Sequence, residues 1–288
     1  ARFDHATRIC FSESFPRPTR AQALAFDPIA GGASTLLVAP TGAGKTLAAF
    51  LAAIDRSMFS PEPPPGARLR VLYVSPLKAL SVDVERNLRA PLAGIAGVAR
   101  RLEPPHLAVA VAIRSGDTPA RERAQFLRRP SDILITTPES LYLLLTSRAA
   151  AALAAVDVVS VDEIHAVAGT KRGAHLALSL ERLEDVRLRA RGGDAPPLQR
   201  IGLSATAQPL AVVGRFLGGH GERGAPRPVE IVDAGMRRAI EVRVEVPVED
   251  MAAVDDVGRD PGRDDDAPLA SGTEPRSIWH RIHPRLVE

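Results

Sequence analysis

Between residues 35 and 217 the chain alternates short unbroken apolar runs with longer stretches in which apolar residues return every three or four positions. The runs are Thr35–Ala39, Val71–Ser75, Leu107–Ile113, Asp132–Thr136, Val156–Val161 and Gln199–Leu203. Several are continuous in Val, Ile and Leu, the pattern of strands buried on both faces of a parallel sheet. The intervening stretches Thr46–Ser57, Leu77–Leu88, Ala120–Leu127, Ser140–Thr146 and Gly173–Arg187 read as helices; the last repeats Leu176, Leu180 and Leu183 at helical spacing. This alternation predicts an α/β fold: a doubly wound, mostly parallel sheet with helices on both faces. Ligands of such sheets bind at the carboxyl ends of the strands.

Two loops interrupt the pattern, the proline-rich Pro61–Gly66 and the Gly/Pro-containing Arg189–Pro197. Beyond residue 218 the character changes. Gly218–Pro228 is rich in Gly and Pro, and two strand-like pieces follow, Val229–Val232 and Ile240–Val248. Residues 249–276 carry Asp255, Asp256, Asp260, Asp264, Asp265 and Asp266 and read as an acidic flexible linker. Residues 277–288, with Trp279, Ile282, Leu286 and Val287, read as the start of a second, truncated domain. The expected division is therefore 1–248, 249–276 and 277–288.

Composition adds exclusions. Of 288 residues, 45% are hydrophobic and 25% charged, ordinary for a soluble globular protein. No apolar run approaches the roughly 20 residues of a membrane helix, and no secretory pattern is visible, so no membrane partner is expected. The single cysteine, Cys10, excludes an internal disulfide or a cysteine-rich zinc site and fits a reducing cytoplasm. The net charge of +3, with a pI near 9.5, is compatible with phosphate-backbone binding without requiring it.

The chemistry-bearing strings fall at predicted strand ends. Ala39-Pro-Thr-Gly-Ala-Gly-Lys-Thr46 fits a phosphate-binding P-loop, in which Thr41, Gly42, Ala43, Gly44, Lys45 and Thr46 surround the phosphates. Gly42 and Gly44 permit the tight turn, Lys45 reaches the β- and γ-phosphates, and the Thr46 hydroxyl holds Mg²⁺. Position 39 is Ala where the general pattern has Gly. Asp162-Glu163-Ile164-His165 ends the run Val156–Val161. There Asp162 is the expected metal ligand and Glu163 the group that polarises the attacking water; the alternative is a helix cap with a first-turn anion. His165 is either a core histidine or a link to Ser204-Ala205-Thr206, whose hydroxyls Ser204 and Thr206 can report nucleotide state. Upstream, Pro18 can pre-set a helix start, and Gln22 offers a donor and an acceptor suited to an adenine edge. ATP and Mg²⁺ are thus the expected cofactors.

Candidate nucleic-acid contacts are Ser75 and Lys78, Gly116 and Asp117, and Thr137, Pro138, Glu139 and Ser140. Helix N-termini and hydroxyls of this kind hold phosphates without reading bases, although each is also an ordinary cap. Aromatic residues are only 4% of the chain, which leaves no evident base-stacking platform.

In this order the strings resemble superfamily 2 helicases. Gln22 resembles the Q-motif glutamine, Ala39–Thr46 motif I, Asp162–His165 motif II of the DExH type and Ser204–Thr206 motif III. Ser75–Leu80 and Thr137–Leu141 are similar to motifs Ia and Ib. The strings Val74–Leu80 and Val161–Leu183, the latter with Ala168-Gly-Thr-Lys-Arg-Gly173, resemble the large helicase-related (Lhr) family, as do Val246–Met251 and Ser277–Trp279. That family also carries Ala at the first P-loop position. The resemblance implies a RecA-like P-loop NTPase domain, the first of two, in an ATP-dependent DNA helicase moving 3′ to 5′ on single-stranded DNA and unwinding duplexes or RNA–DNA hybrids. It further implies a second RecA-like domain, absent from this chain, that completes the ATP site and supplies arginine fingers. A nucleotide-gated binding module that does not unwind is the rival reading. A DEAD-box RNA helicase fits less well because residue 165 is His.

Overall fold

The computed structural model describes residues 3–235 except 65, 193, 194, 207, 208, 222 and 223. The expected strand Ile240–Val248, the acidic linker 249–276 and the segment 277–288 lie outside the described residues. Seven strands form one sheet: β1 Thr35–Val38, β2 Val71–Val74, β3 Val111–Arg114, β4 Ile133–Thr136, β5 Val158–Val161, β6 Gln199–Ser204 and β7 Glu230–Asp233. Their order is β3-β4-β2-β5-β6-β1-β7, and every neighbouring pair is parallel. The expected sheet is present, and the run near Val229 adds β7 as an edge strand beside β1.

Successive side chains of a strand point to opposite faces, so each apolar run supplies two cores. Leu37, Tyr73, Ile135, Val158 and Ile201 face α1 His5–Ser14, α2 Arg20–Ala30, α3 Lys45–Phe59 and α4 Lys78–Leu102. Leu36, Leu72, Leu134 and Val159 face the other layer. That layer is α5 Ala120–Arg128, α6 Pro138–Leu145, α7 Ala150–Leu153, α8 His165–Ala168, α9 Lys171–Arg191 and α10 Leu210–Gly218. Burying each Val, Leu or Ile contributes about 1.5–3 kcal/mol, so the central strands anchor the motifs at their ends. The helix α3 is buried on most sides, through Ala48, Ala49, Phe50, Ala52, Ala53 and Ile54. Its alanines let it approach the sheet closely, which fixes the loop that precedes it.

Four sequence expectations are corrected. The run Leu107–Ile113 pairs only from Val111, because the Asp132 carboxylate takes the Ala110 N–H at 2.6 Å before the ladder begins. The helix expected to end at Leu88 continues to Leu102 through Pro91, losing one backbone bond but burying Ile95, Val98 and Ala99. Pro18 lies before its helix rather than in the first turn, which begins at Arg20 behind the cap Thr19. The sequence reading does not name the helices α1, α7, α8 and α10; each is 10 residues or shorter.

Candidate functional site

Strands β5, β6 and β1 lie side by side, although more than 150 residues separate β1 from β6 in sequence. Their carboxyl ends bring the P-loop, the Asp-Glu-Ile-His string and the Ser-Ala-Thr string together. The splice is direct: Ala39 N–H donates to the Ser204 carbonyl at 3.1 Å, and Ile164 N–H to the Leu203 carbonyl at 2.9 Å.

In the P-loop, Gly42 and Gly44 have φ of 80° and 77°, the left-handed region that favours glycine. Gly44 is also the N-cap of α3 and supplies no side-chain cap, so the first-turn N–H groups of α3 face an anion-binding position. The Lys45 ammonium is buried and donates to the Ala39 carbonyl at 2.8 Å and the Pro40 carbonyl at 3.1 Å. Burial pushes its pKa down from the ordinary lysine value, and the nearby Glu163 and Asp162 charges oppose that shift. The lysine and the acidic pair therefore share one electrostatic environment.

Gln22 is buried, and its amide is engaged with the protein. Thr19 and Gln22 form a reciprocal capping box at the start of α2: Thr19 N–H donates to Gln22 Oε1 at 3.0 Å, and Gln22 N–H to Thr19 Oγ1 at 3.2 Å. Gln22 Nε2 also lies 3.5 Å from the Gly44 carbonyl, and the Thr19 hydroxyl donates to the Ala43 carbonyl at 2.7 Å. The α2 terminus thus clamps the P-loop. Thr19 was not singled out from sequence; the Thr-x-x-Gln capping pattern was the available signal.

Asp162 is buried at the end of β5, and its Oδ1 accepts the Glu163 N–H at 3.0 Å. Glu163 has φ of 42°, rare for a residue with a side chain. His165 Nδ1 lies 3.0 Å from Ser204 Oγ and 3.3 Å from Glu163 Oε2. Because the Ser204 hydroxyl donates to the Thr206 carbonyl at 2.9 Å, it accepts from His165, which assigns the imidazole proton to Nδ1. One ring hydrogen thereby touches both the acidic string and the Ser-Ala-Thr string. Thr206 joins through its carbonyl, and its side chain is exposed.

The remaining candidates cluster at the ends of β2, β3 and β4. Lys78, Gly116, Asp117 and Glu139 are exposed there. Ser75, Thr137, Pro138 and Ser140 are buried. The Ser75 hydroxyl turns back to the Leu77 carbonyl at 3.1 Å, and Thr137 caps α6 by accepting from Ser140 N–H at 3.4 Å. These buried hydroxyls thus bond locally, Thr137 as the cap of α6, and the accessible side chains and backbone are those of Lys78, Gly116, Asp117 and Glu139.

Two arginines organise this surface. Arg172 grips both Glu139 oxygens at 2.5 and 3.2 Å and donates to the Pro76 carbonyl at 2.9 Å, tying α9 to the loop after β2 and the first turn of α6. The Arg172 hydrogen bond holds the Glu139 carboxyl below its usual range. Arg123 donates to the carbonyls of Gly116 and Thr118, both at 2.7 Å, and shapes the loop after β3. Arg172 lies inside the string Ala168–Gly173, but its bridging partners are far away in sequence.

The DEAD/DEAH box helicase family matches residues 19–212. Over 287 residues the chain is 52% identical to the Lhr helicase/probable uracil glycosylase of Mycolicibacterium smegmatis, covering 100% of this chain and 17% of that protein. It is 46% identical to the Lhr helicase/uracil glycosylase of Escherichia coli, over 99% of this chain and 18% of that protein. The solved structure of Mycobacterium smegmatis helicase Lhr bound to ssDNA and AMP-PNP superimposes with a TM-score of 0.76 at 48% identity, covering 100% of this chain and 32% of that one. The chain spans less than one fifth of the length of the two sequence relatives. By its sequence match and its strand-end motifs, the chain belongs to the DEAD/DEAH box helicase family, in a form similar to the first RecA-like domain of Lhr helicases.

Proposed function

We propose that this chain is the ATP-binding and nucleic-acid-binding first domain of an ATP-dependent DNA helicase that moves 3′ to 5′ on single-stranded DNA. The observation that carries the reading is the meeting of Lys45, Asp162, Glu163 and the His165–Ser204 pair at three adjacent strand ends. Similarity to Lhr, solved with ssDNA and AMP-PNP, supports it. The 3′-to-5′ direction rests on the family resemblance.

In this reading the P-loop amides and Lys45 hold the phosphates of ATP. The Thr46 hydroxyl and the Asp162 carboxylate are hard oxygen donors suited to Mg²⁺, which neutralises phosphate charge when bound. Glu163 orients the attacking water. His165 and Ser204 link this chemistry to the loops that would contact the DNA backbone. Lys78 and the backbone near Gly116 are the contacts for phosphate.

The test is nucleotide binding and ATP turnover by the 288-residue chain, with and without single-stranded DNA. Lys45→Ala is expected to abolish binding, and Glu163→Gln to keep binding while stopping hydrolysis. Turnover by the chain is expected to be weak, because an arginine finger from a partner domain supplies about 10³–10⁵ in rate. Nucleotide binding that survives Lys45→Ala would overturn the assignment.

A further inference from the structure

Tyr73 sits in the middle of the sheet with its ring wholly buried, yet its hydroxyl has no hydrogen-bond partner among the described residues. A buried hydroxyl is nearly always paired, so an orphan at this place calls for an explanation. Three placements locate it. Tyr73 on β2 is in register with Ser160 on β5, so both side chains face α3. Strand alternation turns Asp162, two residues beyond Ser160, toward the same face. The Tyr73 ring stacks on Phe50 of α3, with centroids 4.7 Å apart and an interplanar angle of 24°. Phe50 lies one helical turn after Thr46, on the same side of α3.

The hydroxyl therefore points along α3 toward Thr46 and Asp162, the two oxygen donors assigned to Mg²⁺. These two side chains reach the phenol without forming a well-aligned hydrogen bond. The sheet and the Phe50 stack hold the ring in place, which suits a group whose task is to fix a neighbour.

We propose that Tyr73 is a positioning residue for the metal end of the nucleotide site, its hydroxyl donating to the Asp162 carboxylate and orienting it toward a cation shared with Thr46. The proposal rests on the assignment of Thr46 and Asp162 made above. Partners that orient a metal-ligating carboxylate typically change metal affinity by about 10- to 100-fold when removed. A group serving only to fill the core would leave metal affinity untouched.

The experiment uses the 288-residue chain and the fluorescent nucleotide mant-ADP, titrated with and without Mg²⁺. Tyr73→Phe keeps the ring on Phe50 and removes only the orphan hydroxyl. The expected result is an unchanged melting temperature, unchanged mant-ADP affinity in EDTA, and a rise of about 10-fold in the Mg²⁺ concentration needed for half of the metal-dependent tightening. Ser160→Ala removes the neighbouring unpaired hydroxyl on the same face and is expected to leave the Mg²⁺ midpoint where it is. An unshifted midpoint in Tyr73→Phe, or an equal shift in Ser160→Ala, would overturn the proposal. Binding of mant-ADP that is indifferent to Lys45→Ala would instead overturn the nucleotide site itself, so the two failures are distinguishable.

Discussion

Asp117 holds Lys78 through both of its carboxylate oxygens, at 3.0 and 2.8 Å from the ammonium. Both residues are candidate nucleic-acid contacts by sequence, and the fold pairs them with each other across 39 positions. A carboxylate repels phosphate, so under the proposed DNA contact Asp117 would compete with the backbone for the lysine. The pair is exposed, and exposed pairs contribute at most about 1 kcal/mol, so phosphate can displace the carboxylate. Asp117→Asn is expected to tighten single-stranded DNA binding a few-fold, about the factor that 1 kcal/mol permits. Lys78→Ala is expected to weaken binding and reduce the salt slope by about one. Fluorescence anisotropy at several salt concentrations checks both, and weaker binding by Asp117→Asn would remove the competition.

The His165–Ser204 contact at 3.0 Å joins the start of α8 to the end of β6, which meet only through the fold. A double-mutant cycle with His165→Ala and Ser204→Ala, measured by urea unfolding, is expected to give a coupling of about 0.5–1.5 kcal/mol. Strictly additive effects would mean that the contact does not couple these two elements.

Gly44 combines a positive φ with close packing: a Cβ there would lie 2.4 Å from Gln22 Nε2. The amide cannot retreat without breaking the Thr19–Gln22 capping box. Gly44→Ala is therefore expected to lower stability by about 1–3 kcal/mol and to displace Gln22 from the P-loop. Urea denaturation checks the first effect and mant-ADP affinity the second. An unchanged urea midpoint would show that the loop relaxes freely.

Arg187 is fully buried and binds the Glu184 carboxylate, at 3.1 Å, as well as the carbonyls of Val156 and Pro196. Burial pushes the Arg187 pKa down, partly offset by Glu184. Removing the arginine leaves Glu184 without this partner in the core. Arg187→Ala is expected to destabilise the domain by about 3–5 kcal/mol. Arg187→Ala with Glu184→Leu should recover part of that loss in chemical denaturation, and no recovery would place the effect in lost packing alone.

Cys10 is the sole cysteine of the chain and is buried where α1 packs on α4. Burial raises its pKa above the ordinary thiol value, so the folded state favours the protonated thiol. This contribution to stability is complete below about pH 9 and declines as pH rises toward the folded pKa. Labelling by a thiol reagent near pH 8 is expected to be much slower in the native chain than in urea. Fast native labelling would mean that α1 opens readily from α4.

The sequence by itself determined the α/β class, the parallel sheet and the strand-end strings, because continuous apolar runs, a Gly-Lys-Thr turn and paired carboxylates are local signals. It also carried the resemblance to helicases. It did not show that Gln22 is held in a capping box against Gly44, that the hydroxyls of Ser75, Thr137 and Ser140 turn inward, or that Asp117 and Glu139 pair with Lys78 and Arg172. Side-chain direction depends on neighbours that arrive from other strands. Tyr73 illustrates the same limit: in sequence it is one apolar residue of a buried run. Only the register of β2 against β5 and the stack on Phe50 aim its hydroxyl at Asp162. Local pattern decides which elements form, and the packing of elements far apart in the chain decides which polar atoms meet.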